Sequence, residues 1–299
     1  MAKVVEIPVV WLQGAACTGC VVSLLNALSP GISRLVLREL APGKHVSLRF
    51  LVTAMAGQGH QVMGVLRDEA ANDKGNYILV MEGSLPVGHP AFGTLGEAAG
   101  RETPISEVAA NLARSAAAVV CMGTCSSFGG IPAAAPNPTG CLSMSEFMAR
   151  QEIATPLINI PGCPPHPDWL IGSLVAVAVY GLGPVAGMLD DLKRPTTFFG
   201  KLVHETCPRR ADFDAARFAK KFGDPGCLYL LGCRGPVSYA DCPTRMFNSG
   251  TNWCIGAGGP CHGCVEPDFP DRFSPLYEKI DDGRMDRFRL LQPAPAPKA

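Results

Sequence analysis

Of the 13 cysteines and 6 histidines in this sequence, the types that hold metal through sulfur or imidazole, spacing sorts twelve into three sets. The first is Cys17-x2-Cys20 with Cys125 and Cys163. Four thiolates suit a 4Fe–4S cluster; the competing reading is a CxxC redox pair beside unrelated buried thiols. The second is His204-x2-Cys207-x19-Cys227-x5-Cys233, a Cys3His set that fits zinc as well as a cluster. The third, Cys242-x11-Cys254-x6-Cys261-x2-Cys264, reads as a zinc ribbon or a second cubane, and spacing does not decide. Neither Cys20 nor Cys264 is followed by His, which excludes covalent haem c. Cys121 and Cys141 are left over and read as inert structural thiols.

Ligands this far apart must be carried to common points by regular elements. Val9–Leu12 is an apolar run ending in Gly14-Ala15-Ala16-Cys17-Thr18-Gly19-Cys20, and a helical pattern follows over Val21–Leu28. The same strand, turn, helix order recurs. Tyr77–Met81 precedes Glu82-Gly83, Ala117–Val120 runs into Gly123-Thr124-Cys125, and Leu157–Ile160 runs into Pro161-Gly162-Cys163-Pro164. Apolar strands without alternation, separated by helical patterns, imply a parallel sheet covered on both faces. The first set then gathers along the carboxyl edge of the sheet, where such folds place ligands. This doubly wound α/β domain is expected over residues 1–190. Residues 191–299 form an irregular second domain holding seven of the 13 cysteines, where bound metal can supply folding free energy. The Pro/Ala tail 292–299 is expected to be disordered.

Composition agrees with a globular chain that buries a core: 299 residues, 47% apolar and 17% charged. With 26 Lys and Arg against 26 Asp and Glu, it lacks the basic excess of a nucleic-acid surface or a polybasic anchor. The long uncharged run Leu170–Leu189 is interrupted by glycine and proline. It reads as a buried helix capped by Asp168 and stopped by Gly181-Leu182-Gly183-Pro184, not as a membrane span. No signal peptide is visible at the N-terminus, which leads to the expectation of a cytoplasmic complex. A periplasmic form whose leader has been removed is the alternative.

The motifs Trp11–Cys20, Gly123–Ala134 and Pro161–Pro167 resemble the small subunit of nickel–iron hydrogenases, as do His204–Pro208, Asn252–Cys254 and Cys261–Phe269. The resemblance runs in order along nearly the whole chain. It implies a flavodoxin-like N-terminal domain and an irregular C-terminal domain with a relay of iron–sulfur clusters. Cys17, Cys20, Cys125 and Cys163 would hold the proximal cluster. Cys242, Cys254, Cys261 and Cys264 would hold the medial one, and His204, Cys207, Cys227 and Cys233 the distal one. Many relatives have Pro where Cys254 stands; the thiol here completes a four-cysteine set, as in selenium-containing members, so three 4Fe–4S clusters are expected. Oxygen-tolerant members carry extra cysteines at the positions of Gly19 and Gly130, which implies an oxygen-sensitive proximal cluster here. The nickel–iron centre belongs to a separate large subunit, and electrons would pass between it and an external carrier. Lys201, Arg209, Arg210, Lys220, Lys221 and Arg234 surround the distal ligands in sequence and could steer an acidic carrier, or could form a plain solvated face. The other functions weighed are a hydrogen sensor, the related cluster subunit of respiratory complex I, and a zinc-stapled α/β binding module.

Overall fold

The computed structural model describes residues 4–57, 59–98 and 100–280, so the tail 292–299 lies outside the described residues. The chain divides into two compact units, Met1–Pro195 and the residues from Thr196 onward. Six strands of the first unit form one sheet: β1 (Val5–Gln13), β2 (Glu39–Ala41), β3 (Lys44–Leu51), β4 (Ile78–Glu82), β5 (Ala118–Met122) and β6 (Leu157–Ile160). Their spatial order is β6-β5-β4-β1-β3-β2, with every neighbouring pair parallel except β2 and β3. Without the antiparallel edge strand, the parallel strands stand in the order 2-1-3-4-5, the flavodoxin-like doubly wound arrangement.

The apolar runs become the middle of this sheet. β4 and β5 are buried at every residue, as central parallel strands must be. Pro8 is tolerated inside β1 because pairing with β4 starts only at Val9, so one side of the strand is still open there. Helices α1 (Gly19–Leu25), α2 (Gly59–Asn72), α3 (Ile105–Ser115), α4 (Thr124–Phe128) and α5 (Pro167–Tyr180) belong to the same unit. Met63 and Leu66 of α2 join Val108, Ala109 and Leu112 of α3 in the core with Leu79, Met81 and Val119. Cys121 lies in this core without exposure, and burial pushes its thiol up to about 12. Cys141 is also buried, on a short strand that pairs with Leu85–Pro86.

The expected cap of α5 needs correction. Pro167 takes the first helical position, so His166 is the cap, its Nδ1 accepting from the Asp168 amide at 3.1 Å. Asp168 instead sits in the first turn, where its charge suits the helix dipole. The stop at Gly181, with φ of 80°, is as expected. Among the described residues no helix is long and apolar enough to cross a membrane.

Among its described residues the second unit is built from short helices, such as Val203–Thr206, Arg210–Asp214 and Cys242–Arg245, with isolated bridges in place of strands. Its apolar packing is local. Val237, Phe269 and Phe273 form one cluster, and Phe213 meets Phe218, Tyr229 and the His204 ring edge to face.

Candidate metal centres

The sheet order puts β1, β4, β5 and β6 side by side, with the reversal of winding between β1 and β4. Cys17 and Cys20 follow β1, Cys125 follows β5 and Cys163 follows β6, so all four stand at neighbouring carboxyl ends. Backbone bonds hold these ends in register: the Gly14 amide donates to Glu82 O at 2.8 Å, and the Gly123 amide to Ile160 O at 2.9 Å. Gly162 N donates to Thr124 Oγ1 at 2.8 Å, which ties the Cys163 loop to the start of α4. Ser23 Oγ donates to Pro165 O at 2.7 Å, which ties α1 to that same loop.

The four thiols face a common space. Burial first, then the charges of Glu82, Cys125, Cys17 and Cys163, push the Cys20 thiol far up. Burial, with Cys163 and Cys17 adding to it, moves Cys125 up to about 12, and burial with Cys17 raises Cys163. Without a cation, ionised thiols here repel one another; bound iron reverses that balance and deprotonates its thiol ligands. The space is shaped by glycine. Gly123 has φ of 92°, and a Cβ there would stand 2.6 Å from Cys20 Sγ. The donor set and this cradle fit an iron–sulfur cluster.

Glu82 belongs to this set, although its place in the sequence suggests only the start of a turn. Its carboxylate has no exposure and accepts from Trp11 Nε1 at 3.0 Å, Gln13 Nε2 at 2.9 Å and the Cys20 amide at 3.2 Å. It thereby fixes the backbone of Cys20. The available signal was a carboxylate closing an otherwise apolar strand.

In the second unit, Cys207, Cys227 and Cys233 are electrostatically coupled, and burial raises all three thiols, Cys233 up to about 12. Arg209 Nη1 donates to Asp224 O at 3.0 Å and Gly226 O at 2.7 Å, pinning the turn before Cys227 beside Cys207. His204 lies one helical turn before Cys207, half-buried, its ring 4.6 Å from that of Phe213. Burial and then Arg210 hold the imidazole below its usual range, which favours the neutral, ligand-competent form. Cys264 and Cys254 act electrostatically on Cys242, and Cys233, Cys264 and Cys242 on Cys261; burial raises the Cys242, Cys254 and Cys261 thiols. Gly263, with φ of 71°, turns the chain between Cys261 and Cys264 and donates its amide to Cys261 Sγ at 3.4 Å. The two sets touch: the Cys261 amide donates to Cys233 Sγ at 3.4 Å. Among the described residues no three His, Cys, Asp or Glu side chains stand close enough to hold a single metal ion.

The suggested steering cations are not equivalent. Lys201, Lys220 and Lys221 are exposed, while Arg210 pairs with Asp214 at 2.9 Å. Arg234 is only 4% exposed and is not a surface charge at all.

Comparison with known proteins matches these two units to two family models. Residues 17–177 match the NADH ubiquinone oxidoreductase 20 Kd subunit, and residues 199–277 match the C-terminal part of the NiFe/NiFeSe hydrogenase small subunit. The periplasmic NiFeSe hydrogenase small subunit of Desulfomicrobium baculatum is 44% identical over 90% of this chain and 86% of its own length. The periplasmic NiFe hydrogenase small subunit of Solidesulfovibrio fructosivorans is 40% identical over 91% of this chain and 81% of its own. The crystal structure of the reduced, active Ni-Fe-Se hydrogenase from Desulfomicrobium baculatum superposes with a TM-score of 0.86 at 43% identity, covering 92% of this chain and all of that one. Both relatives are named periplasmic, which overturns the cytoplasmic expectation. That expectation rested on seeing no leader, which says nothing of location because leaders are cut from exported proteins.

Proposed function

This chain belongs to the NiFe/NiFeSe hydrogenase small-subunit family, and we propose that its three ligand sets hold three 4Fe–4S clusters. It is the electron-carrying subunit of a nickel–iron hydrogenase and works with a large subunit; a sensing role is not favoured by its relatives. The domain of residues 1–190 holds the proximal cluster on Cys17, Cys20, Cys125 and Cys163. The domain of residues 191–299 holds the medial cluster on Cys242, Cys254, Cys261 and Cys264, and the distal one on His204, Cys207, Cys227 and Cys233. When bound, such clusters accept and release single electrons.

The observation that carries this reading is the convergence of four mutually coupled thiols at the carboxyl ends of neighbouring strands, with Glu82 and Gly123 shaped around Cys20. The chain's own work is to fix the backbones that carry the thiols and to leave room beside them. Cys254 supplies a fourth thiol to the medial set, which supports a four-iron cluster there. At the proximal site, Cβ atoms on Gly19 and Gly130 would stand 3.1 and 3.0 Å from Cys17 Sγ and Cys125 Sγ. Those positions carry no extra thiol, which supports an oxygen-sensitive cluster. The exposed Lys201, Lys220 and Lys221 favour an acidic external carrier at the distal end. We place the complex in the periplasm, with the relatives so named. The test is to expose the oxidised complex with its large subunit to hydrogen. The iron–sulfur absorption should bleach and return when an acceptor is added; absorption indifferent to hydrogen would refute the reading.

A further inference from the structure

Arg234 directly follows Cys233, and its backbone amide donates to Cys261 O at 2.8 Å. It is 4% exposed, its guanidinium lies 5.1 Å from the Phe273 ring centroid, and Nη2 donates to Phe273 O at 3.2 Å. A Cβ on Gly263, between Cys261 and Cys264, would stand 3.2 Å from Arg234 Cβ. The side chain therefore rises beside the Cys261–Cys264 turn while its backbone borders Cys233. Burying a guanidinium is costly unless negative charge faces it. Glu278 and then Cys233 are among the negative groups acting on it, so charge at the Cys233 site already reaches the guanidinium. Thiolate-ligated clusters at these two turns would add to that charge.

We infer that Arg234 is a buried cation shared by the medial and distal sites, which favours the reduced state of both clusters. It is a tuning residue that acts through space on groups held by Cys233 and Cys261, and it holds no iron itself. A positive charge fixed close to a cluster favours the form carrying the added electron, and net charge and burial are among the levers that set iron–sulfur potentials. The inference rests on the ligand assignment above. That assignment is checked by the iron content of the unaltered complex, before any Arg234 variant is made.

The experiment is an electron paramagnetic resonance redox titration of the anaerobic complex carrying Arg234→Met, Arg234→Gln or Arg234→Lys. Both charge-free variants should lower the reduced-to-oxidised ratio of the medial and distal clusters about tenfold at a fixed potential, equivalent to about 59 mV for a one-electron couple. Arg234→Lys, which keeps the charge and loses the planar packing, should stay near the unaltered protein. Loaded charge-free variants with unmoved potentials would overturn the inference, as would equal shifts in all three. If Arg234→Met and Arg234→Gln lose their clusters, Arg234→Lys decides. A loaded, unshifted lysine variant supports the charge, and an equally empty one makes Arg234 a packing residue.

Discussion

Gly123→Ala is the sharpest perturbation of the proximal site. Gly123 has φ of 92°, and the added methyl would stand 2.6 Å from Cys20 Sγ, against roughly 3.5–4.0 Å for an unstrained contact. The backbone strain costs about 1–3 kcal/mol, and the overlap adds about 1–3 kcal/mol if the surroundings do not yield. Relief is restricted, because the Cys20 amide is held by Glu82 and the Gly123 amide by Ile160 O. The remaining escape is rotation of the Cys20 side chain, which removes a ligand. Either route empties the proximal set. Iron in the anaerobically purified complex should fall from about 12 to about 8 per small subunit. Gly64→Ala is the control: it lies in α2 with nothing within 4 Å of the new methyl, and its full iron content should persist. A Gly123→Ala complex with full iron and unaltered proximal signals would refute the geometry argued here.

Glu82→Ala leaves three donors without their acceptor, at about 1–3 kcal/mol for each buried one; apparent melting of the complex should drop by on the order of ten degrees, and an unchanged melting temperature would refute the role given to Glu82. Cys254→Pro leaves three thiols in the medial set, so iron should fall by about one per chain with a 3Fe–4S signal appearing; unchanged iron would remove Cys254 from the site. Tyr77 has no exposure and donates to Leu112 O, and burial, then Glu69, push its hydroxyl up. A phenol raised on folding stabilises fully below its unfolded value of about 10, and that contribution is lost as pH rises beyond it. Melting of the unaltered complex should therefore decline more steeply between about pH 9 and pH 11 than that of Tyr77→Phe, and parallel curves would contradict the assignment.

The central strands β1, β4, β5 and β6 were legible because they are continuous apolar runs closed by glycine or proline. β3 was not: Lys44, His45 and Arg49 break its pattern, since it lies beside the edge strand and is only partly buried. The three candidate ligand sets stand out in the sequence because thiols and imidazole are chemically distinctive, and their assignment to clusters is the proposal made above. Their supports do not stand out. Glu82 looks like an ordinary turn residue until its three donors, up to 71 positions away, are brought to it by strand pairing. Arg234 looks like a surface cation beside a ligand-type cysteine, and only the fold of the second unit buries it. In that unit the regular elements are a few residues long, so periodicity had nothing to report, and cysteine spacing carried the reading alone.

The most direct test of the account is the iron and acid-labile sulfide content of this chain, purified without oxygen together with its large subunit. Three four-iron clusters predict about 12 of each per small subunit. Roughly four iron accompanied by two zinc would leave the proximal site alone and contradict the relay.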